Sequence, residues 1–155
     1  MQNPEPFSEN NPPRAQTVLN SSIWDAAMNK REVISDELGR IVLSESEINE
    51  SANRLFNMDI DFDKVENFSE SFYIFQRNEN KFLVNSLSGT DNFAPKTLNF
   101  CKKDSEIILK VGYVVPGDRF NGSMTDFSEN KIEKCMQYHL KKNKNTGKYF
   151  ISAVL

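Results

Sequence analysis

The sequence predicts an α+β fold, with two short N-terminal helices and a mostly antiparallel β-sheet of about six to eight strands. We expect the sheet to form a sandwich or to be open and barrel-like. Residues 106–115 are a nearly apolar run rich in β-branched side chains, which is typical of a buried strand. Residues 44–57 carry a helix start signal and an apolar stripe of helical spacing. Alternating segments between turn residues favour further strands.

The start of the chain is polar. Residues 1–20 are rich in Pro, Asn, Ser and Glu and contain few apolar side chains. Such a segment cannot bury enough apolar surface to offset its conformational entropy, so we predict a flexible polar arm. Residues 21–155 have a length typical of one domain, and we predict a single α+β domain there.

The first predicted helix follows this arm. Ser21 or Ser22 can act as its N-cap, and we expect the helix to continue to about Lys30. Its apolar face is formed by Ile23, Trp24 and Ala27.

The second predicted helix has the stronger signals. Ser44 and Glu47 have the spacing of a capping box, in which each side chain bonds the backbone N–H of the other residue. We expect the helix to end near Asn57. Its apolar stripe consists of Ile48, Ala52, Leu55 and Phe56.

Two hairpins are predicted in the first half of the chain. Residues 32–44 contain two β-branched runs around a turn at 36–39, where a glycine allows positive φ. Two further strands, at 71–75 and 81–87, flank a polar turn. Between the hairpins, residues 58–63 alternate between apolar side chains and Asp, which predicts a half-buried edge strand.

In the second half, residues 97–101 predict a short strand that pairs with the apolar run. Residues 131–142 fit either a helix or a strand, because both periodicities bury apolar side chains. Residues 143–147 contain good turn residues, and 149–155 are strand-like. We therefore favour a C-terminal hairpin over a helix followed by a strand.

The composition limits the class of protein. The chain has 12 Phe against one Trp and four Tyr, so we expect these rings in a core or at an interface. No apolar run is long enough for a membrane span. Cys101 and Cys135 do not form a disulfide framework, and we expect reduced thiols. The N-terminus lacks signal-peptide features, so we expect a cytoplasmic or virion-associated protein, with translocation by a specialised secretion system left open.

Charge is divided unevenly along the chain. Residues 1–78 hold 7 Lys+Arg and 14 Asp+Glu, whereas residues 79–155 hold 12 and 8. The simplest interpretation is attraction between the two halves of one folded chain. A polar partner for one of these surfaces is the functional alternative.

A possible cation site involves Asp59, Asp61, Asp63 and Glu70. Counted from Asp59, they match positions one, three, five and twelve of a helix–loop–helix calcium loop. The sixth position, which requires Gly, is Lys64. We favour a solvated edge strand whose carboxylates prevent edge-to-edge pairing.

A possible catalytic pair is Cys135 with His139, since a thiolate and an imidazole are the minimum for cysteine catalysis. On a helix the two residues would be neighbours, but on a strand they would be about 13 Å apart. Cys101 could instead meet His139 across a sheet. We favour a structural cysteine beside a surface histidine.

Lysines are concentrated near the predicted C-terminal hairpin, at positions 131, 134, 141, 142, 144 and 148. Lys141, Lys142, Lys144 and Tyr149 are the candidate partner-binding residues. With the neighbouring aromatic rings they could form a weak platform for single-stranded nucleic acid. A pI of about 5.3 and the scarcity of Arg make this the less favoured interpretation.

The sequence contains no phosphate-binding loop, dinucleotide fingerprint, serine nucleophile elbow or His-Glu-x-x-His zinc motif. We therefore expect a non-enzymatic protein-binding or assembly protein without a cofactor, which binds a protein partner or further copies of itself. Its composition suggests a phage or viral structural subunit, an immunity protein or a translocated effector. The alternatives are a small enzyme that uses Cys135 and His139 or the four carboxylates with a divalent cation, and the nucleic-acid binder.

Overall fold

The computed structural model describes residues 5–30, 32–67, 72–85, 94–114 and 132–155. It confirms the α+β class: these residues form two α-helices and seven strands, in antiparallel sheets of three and four strands. Contacts divide the chain into two compact units. The first contains the helices and the three-stranded sheet, and the second combines residues 5–12 with the four-stranded sheet. The single domain over 21–155 stays a prediction.

Helix α1 (Ala15–Asn29) begins well before the predicted start. Neither Ser21 nor Ser22 is its N-cap: both are buried inside the helix, and the Ser22 hydroxyl donates to the Val18 carbonyl at 2.7 Å. Arg14 precedes the helix and gives no side-chain cap. Val18 and Leu19 are buried, so tertiary packing stabilises the start of the helix, which has no side-chain cap.

The first predicted hairpin is present. Its turn is closed by two backbone bonds of 3.0 Å, from Gly39 N–H to Asp36 C=O and from Asp36 N–H to Arg40 C=O. Gly39 has a φ of 74°, which explains why glycine is needed there. Strand β1 (Ile41–Ser44) follows, and its Val42 N–H donates to the Ile34 carbonyl at 2.9 Å.

Helix α2 (Glu45–Phe56) forms as predicted. Glu47 N–H donates to the Ser44 hydroxyl at 3.3 Å, and Ser44 N–H donates to the Glu47 carboxylate at 2.8 Å, which completes the capping box. Asn57 ends the helix in the left-handed region with a φ of 55°. Lys30 donates to the same Glu47 carboxylate at 2.7 Å and thereby connects the end of α1 to the start of α2.

The predicted edge strand over residues 58–63 is wrong. The segment is extended and then forms a single 3₁₀ turn, Phe62–Lys64. Ile60 N–H donates to the Asn49 side chain at 2.9 Å, so a helix side chain takes the place of a strand partner. The alternation does report side-chain burial, because Ile60 and Phe62 pack against the core while the aspartates are exposed.

Strands β2 (Tyr73–Gln76) and β3 (Lys81–Val84) confirm the second hairpin, and the sheet order is β1-β3-β2. Residues 71, 86 and 87 of the predicted strands lie outside the described residues. At the β2 edge, Phe75 N–H donates to the Asn67 side chain at 2.7 Å, and the Asn67 amide donates to the Phe75 carbonyl at 3.0 Å. This side chain covers part of the edge as a neighbouring strand would.

Both helices pack on one face of the three-stranded sheet. The core residues from the sheet are Ile41, Leu43, Tyr73, Phe75, Phe82 and Val84. The helices contribute Leu19, Ile23, Ala26, Ala27 and Ile48. Trp24 is half-buried, and its ring lies 5.7 Å from the ring of Phe72.

The second unit is a four-stranded sheet in the order β4-β5-β6-β7. Its strands are β4 (Ala94–Lys103), β5 (Glu106–Val114), β6 (Ile132–Lys142) and β7 (Tyr149–Val154). The predicted apolar strand is β5, an interior strand, although Val115 lies outside the described residues. Residues 132–142 are a strand, so the C-terminal hairpin is confirmed.

Pairing register assigns the faces of this sheet. One face carries the buried Val111, Tyr113, Met136 and Val154. The opposite face carries exposed polar residues, among them Asn99, Lys110 and Gln137, but also the buried Val114 at the end of β5. Residues 111–114 are all buried, so this end of β5 is covered on both faces.

Residues 5–12 contact the last strand. Phe7 and Val154 exchange backbone hydrogen bonds of 2.9 Å in each direction, and Phe7 is only 4% exposed. The predicted flexible arm over residues 1–20 therefore contains an anchored aromatic residue as well as the start of α1. An edge strand with a paired residue is less available to other chains at that position.

Replacing Phe7 tests this anchor. Phe7→Ala should lower the free energy of unfolding by about 3 kcal/mol or more, because it removes a buried ring. The matched control is Phe100→Ala, since Phe100 is 68% exposed in the same unit and should cost less than about 0.5 kcal/mol. Urea unfolding measures both, and equal values for the two variants would show that residues 5–12 are not docked.

Glu47→Gln tests the connection between the helices. Burial raises the pKa of Glu47, but hydrogen bonds from Lys30 and Ser44 outweigh it and leave this pKa below its usual value. The charged form is therefore stabilising above the unfolded-state pKa, and the benefit disappears as the pH falls through the folded-state pKa. The variant should be about 1 kcal/mol less stable at pH 7 and equal to the wild type in strong acid. Glu50 is exposed on the same helix. In pH-dependent melting, the Glu50→Gln variant should therefore be as stable as the wild type at every pH.

Candidate functional site

The carboxylate of Asp59 is hydrogen-bonded to side chains of α2. Its Oδ1 accepts hydrogen bonds from the side-chain amides of Asn53 at 2.7 Å and Asn49 at 3.0 Å. These bonds hold the pKa of Asp59 below its usual value. Because both amides belong to α2, these hydrogen bonds hold the segment after the helix against the helix.

The other aspartates of the segment have their own partners. Asp61 forms an ion pair with Lys64 at 2.7 Å, which lowers the pKa of Asp61 and raises that of Lys64. Asp63 is fully exposed and lies 3.9 Å from Arg77. Glu70 lies outside the described residues. Among the residues that the structure describes, no three His, Cys, Asp or Glu side chains come together as a possible metal site.

Cys135 and His139 are both on β6, four residues apart in regular pairing with β5. A strand of this length places them about 13 Å apart, which is too far for proton transfer. The exposed Cys101 is separated from His139 by Ile108, the residue between them across the sheet. Neither thiol therefore reaches the imidazole.

His139 instead pairs with a carboxylate that sequence reasoning did not connect to it. Its Nδ1 lies 3.0 Å from Oε1 of Glu106, the first residue of β5. The Nε2 atom is buried and has no hydrogen-bond partner among the described residues. Strand register, which brings residues 106 and 139 onto neighbouring strands, was the missing information.

A tyrosine pair occupies the apolar face of the same sheet. The hydroxyls of Tyr113 and Tyr138 are hydrogen-bonded to each other. Burial, followed by this hydrogen bond, raises the pKa of Tyr138 well above its usual value. The phenol therefore stays neutral near pH 7 and is no general base there.

The candidate lysines lie at one end of the four-stranded sheet. Lys142 is directly opposite Tyr149, Lys144 is in the following turn, and Lys141 is ion-paired with Glu9. Lys134 is at the opposite end of β6, so it does not belong with the other lysines that the sequence grouped together. Lys131 lies outside the described residues. The same end also receives Lys102 and Lys103 from β4, which sequence reasoning had not grouped with them.

The first unit has an apolar surface of a different kind. Met28, Val33, Ile34 and Leu38, which we call the hairpin surface, are 68%, 59%, 61% and 77% exposed. They comprise the end of α1 and the hairpin that follows. The sequence predicted the hairpin that contains Val33 and Ile34, but it gave no sign that these side chains are exposed.

Comparisons of the chain with protein-family models, with curated proteins and with solved structures give no match. In the part of the chain that the structure describes, no helix has the length and apolarity needed to cross a membrane.

Asp59→Ala and Asp63→Ala distinguish structural carboxylates from a cation site. Asp59→Ala should lower the melting temperature measurably, since two amide donors lose their acceptor. Asp63→Ala should leave it unchanged, because this side chain is fully exposed. Calcium should leave the melting temperature of the wild type unchanged, because a bound ion must raise it. A calcium-dependent rise that both variants abolish would contradict the structural assignment.

Proposed function

We propose that this chain is a non-enzymatic protein-binding protein whose contact surface is the hairpin surface. The observation that supports this most directly is the exposure of four large apolar side chains between positions 28 and 38. Single exposed apolar residues are common, but several that lie close together in one short segment of chain favour an interaction surface.

Burial of this surface by a partner would supply substantial free energy. A fully buried Leu, Ile, Val or Met side chain contributes about 1.5–3 kcal/mol relative to the exposed state. Association costs several kcal/mol in lost freedom, so only part of this sum becomes affinity. Leu38, the most exposed of the four and placed in the turn, is the natural anchor.

The hairpin is held in shape before any partner arrives. Asp36 Oδ1 accepts from the backbone N–H of Leu38 at 3.0 Å and of Arg40 at 2.8 Å. Its Oδ2 accepts from Arg40 Nε at 2.7 Å. A rigid turn loses little conformational entropy on binding, which favours affinity and specificity. The fitting partner is a folded protein with an apolar groove that accepts a convex turn.

The described chemistry of the chain agrees with binding rather than catalysis. The thiols are distant from the imidazole, and Asp59 and Asp61 are engaged by neighbouring side chains. A structural subunit, an immunity protein and a translocated effector all act through protein contacts, so each is compatible with this proposal.

Polar substitution of the hairpin surface tests the proposal. A Val33→Ser, Ile34→Ser and Leu38→Ser variant should keep its melting temperature, because the side chains are exposed. It should weaken binding to a purified partner, first identified by affinity capture, by more than about 100-fold, as expected for the loss of central apolar anchors. Calorimetry with that partner measures the change.

The matched control is Leu155→Ser, since Leu155 is 56% exposed on the other unit. It should bind as the wild type does. The proposal is wrong if the triple variant binds with unchanged affinity, or if the control loses binding to the same extent.

A further inference from the structure

Two turns bring lysines from distant parts of the sequence to one end of the four-stranded sheet. Register places Lys103, Glu106 and Lys141 in one row across three strands. Lys142 N–H donates to the Ser105 carbonyl at 3.1 Å, which joins the β6–β7 hairpin to the β4–β5 turn. The exposed lysines at this end, here named the lysine end, are Lys102, Lys103, Lys142, Lys144 and Lys148.

These five lysines have little internal compensation. Among the described residues, none of their ammonium groups forms an ion pair. Three acids lie nearby and are outnumbered by the lysines: Glu9 is ion-paired with Lys141, and Glu106 is hydrogen-bonded to His139. Asp104 is the remaining one, in the β4–β5 turn. The lysine end therefore has a positive potential that the unit itself does not neutralise.

Unlike these lysines, many acidic side chains of the first unit are ion-paired. This bears on whether a second copy of the chain could be the ligand. Six of them form ion pairs within that unit: Asp25, Asp36, Glu47, Asp61, Asp63 and Glu79. The others are spread over the hairpin, α2 and the segment after it. The described acids of the first unit thus form no concentrated, unpaired acidic surface that could bind the lysine end of a second copy.

The side chains around the lysine end favour a protein ligand over nucleic acid. No Arg occurs among the described residues of this unit, so the guanidinium stacking and bidentate phosphate contacts of nucleic-acid binders are missing there. Phe100 is the only ring that is more than half exposed in that part of the chain. Stacking platforms need several exposed rings. Beside Lys102 and Lys142, the face instead presents half-buried aliphatic side chains, those of Ile107, Leu140 and Ile151.

We propose that the lysine end binds an acidic segment of a different protein. Carboxylates of that segment pair with the five ammonium groups, and its apolar side chains contact Phe100 and the adjoining aliphatic residues. The lysine end and the hairpin surface share no residue, so the inference does not rest on the proposed function.

The probes are a labelled oligoglutamate of about 20 residues and an oligothymidylate of about 20 nucleotides, which carry one charge per unit. Fluorescence anisotropy at low salt should show binding of oligoglutamate at least tenfold tighter than of oligothymidylate. Binding should weaken steeply as salt is added, because the contacts are exposed charge pairs.

Lys103→Glu with Lys144→Glu should weaken oligoglutamate binding more than tenfold. The matched control, Lys64→Glu with Lys81→Glu, makes the same change of net charge on the first unit and should leave binding within twofold of the wild type. Circular dichroism and melting confirm that both variants fold.

Three results would overturn the proposal: no oligoglutamate binding at low salt, equal losses in both double variants, or binding of oligothymidylate as tight as that of oligoglutamate. Light scattering adds a further test. Salt-sensitive self-association that the Lys103 and Lys144 changes abolish would assign the surface to contacts between copies, which also contradicts the proposal.

Discussion

The first unit depends on the burial of Phe82 at the centre of its sheet. This ring is 0% exposed, stacks on Phe75 with centroids 4.4 Å apart, and also contacts Phe62 and Tyr73. Aromatic pairs of this kind stabilise beyond their buried area. Among its described residues, the hairpin that precedes β1 contributes no apolar side chain to this core up to residue 40, and Val33, Ile34 and Leu38 remain exposed.

The parts of the fold that were predictable are those whose signals are local. Ser44 and Glu47 cap α2 because both bonds form within one turn of chain, and Gly39 marks a turn by its own backbone freedom. The start of α1 and the path of residues 58–63 were not predictable in this way. In each case a tertiary contact decides the outcome: the burial of Val18 and Leu19, and the Asn49 side chain that bonds Ile60.

The candidate sites likewise combine residues that the sequence identifies with residues that only the tertiary structure brings together. The sequence identified the lysines of the C-terminal hairpin, but only strand register adds Lys102 and Lys103 to them. Register likewise separates Cys135 from His139 and brings His139 to Glu106. The hairpin surface was not predicted from the sequence. An apolar side chain buried in a core and one buried by a partner have the same sequence pattern.

The central claim is that a preformed turn presents exposed apolar side chains, and amide hydrogen exchange of the free chain tests it most directly. The N–H groups of Gly39, Arg40 and Val42 are hydrogen-bonded in the structure, so their exchange should be slowed well below that of an unstructured peptide. Leu38 N–H, bonded to Asp36, should lose its protection in an Asp36→Ala variant. Exchange at the unstructured rate at all of these amides in the wild type would show that the hairpin is not preformed, and would contradict the account.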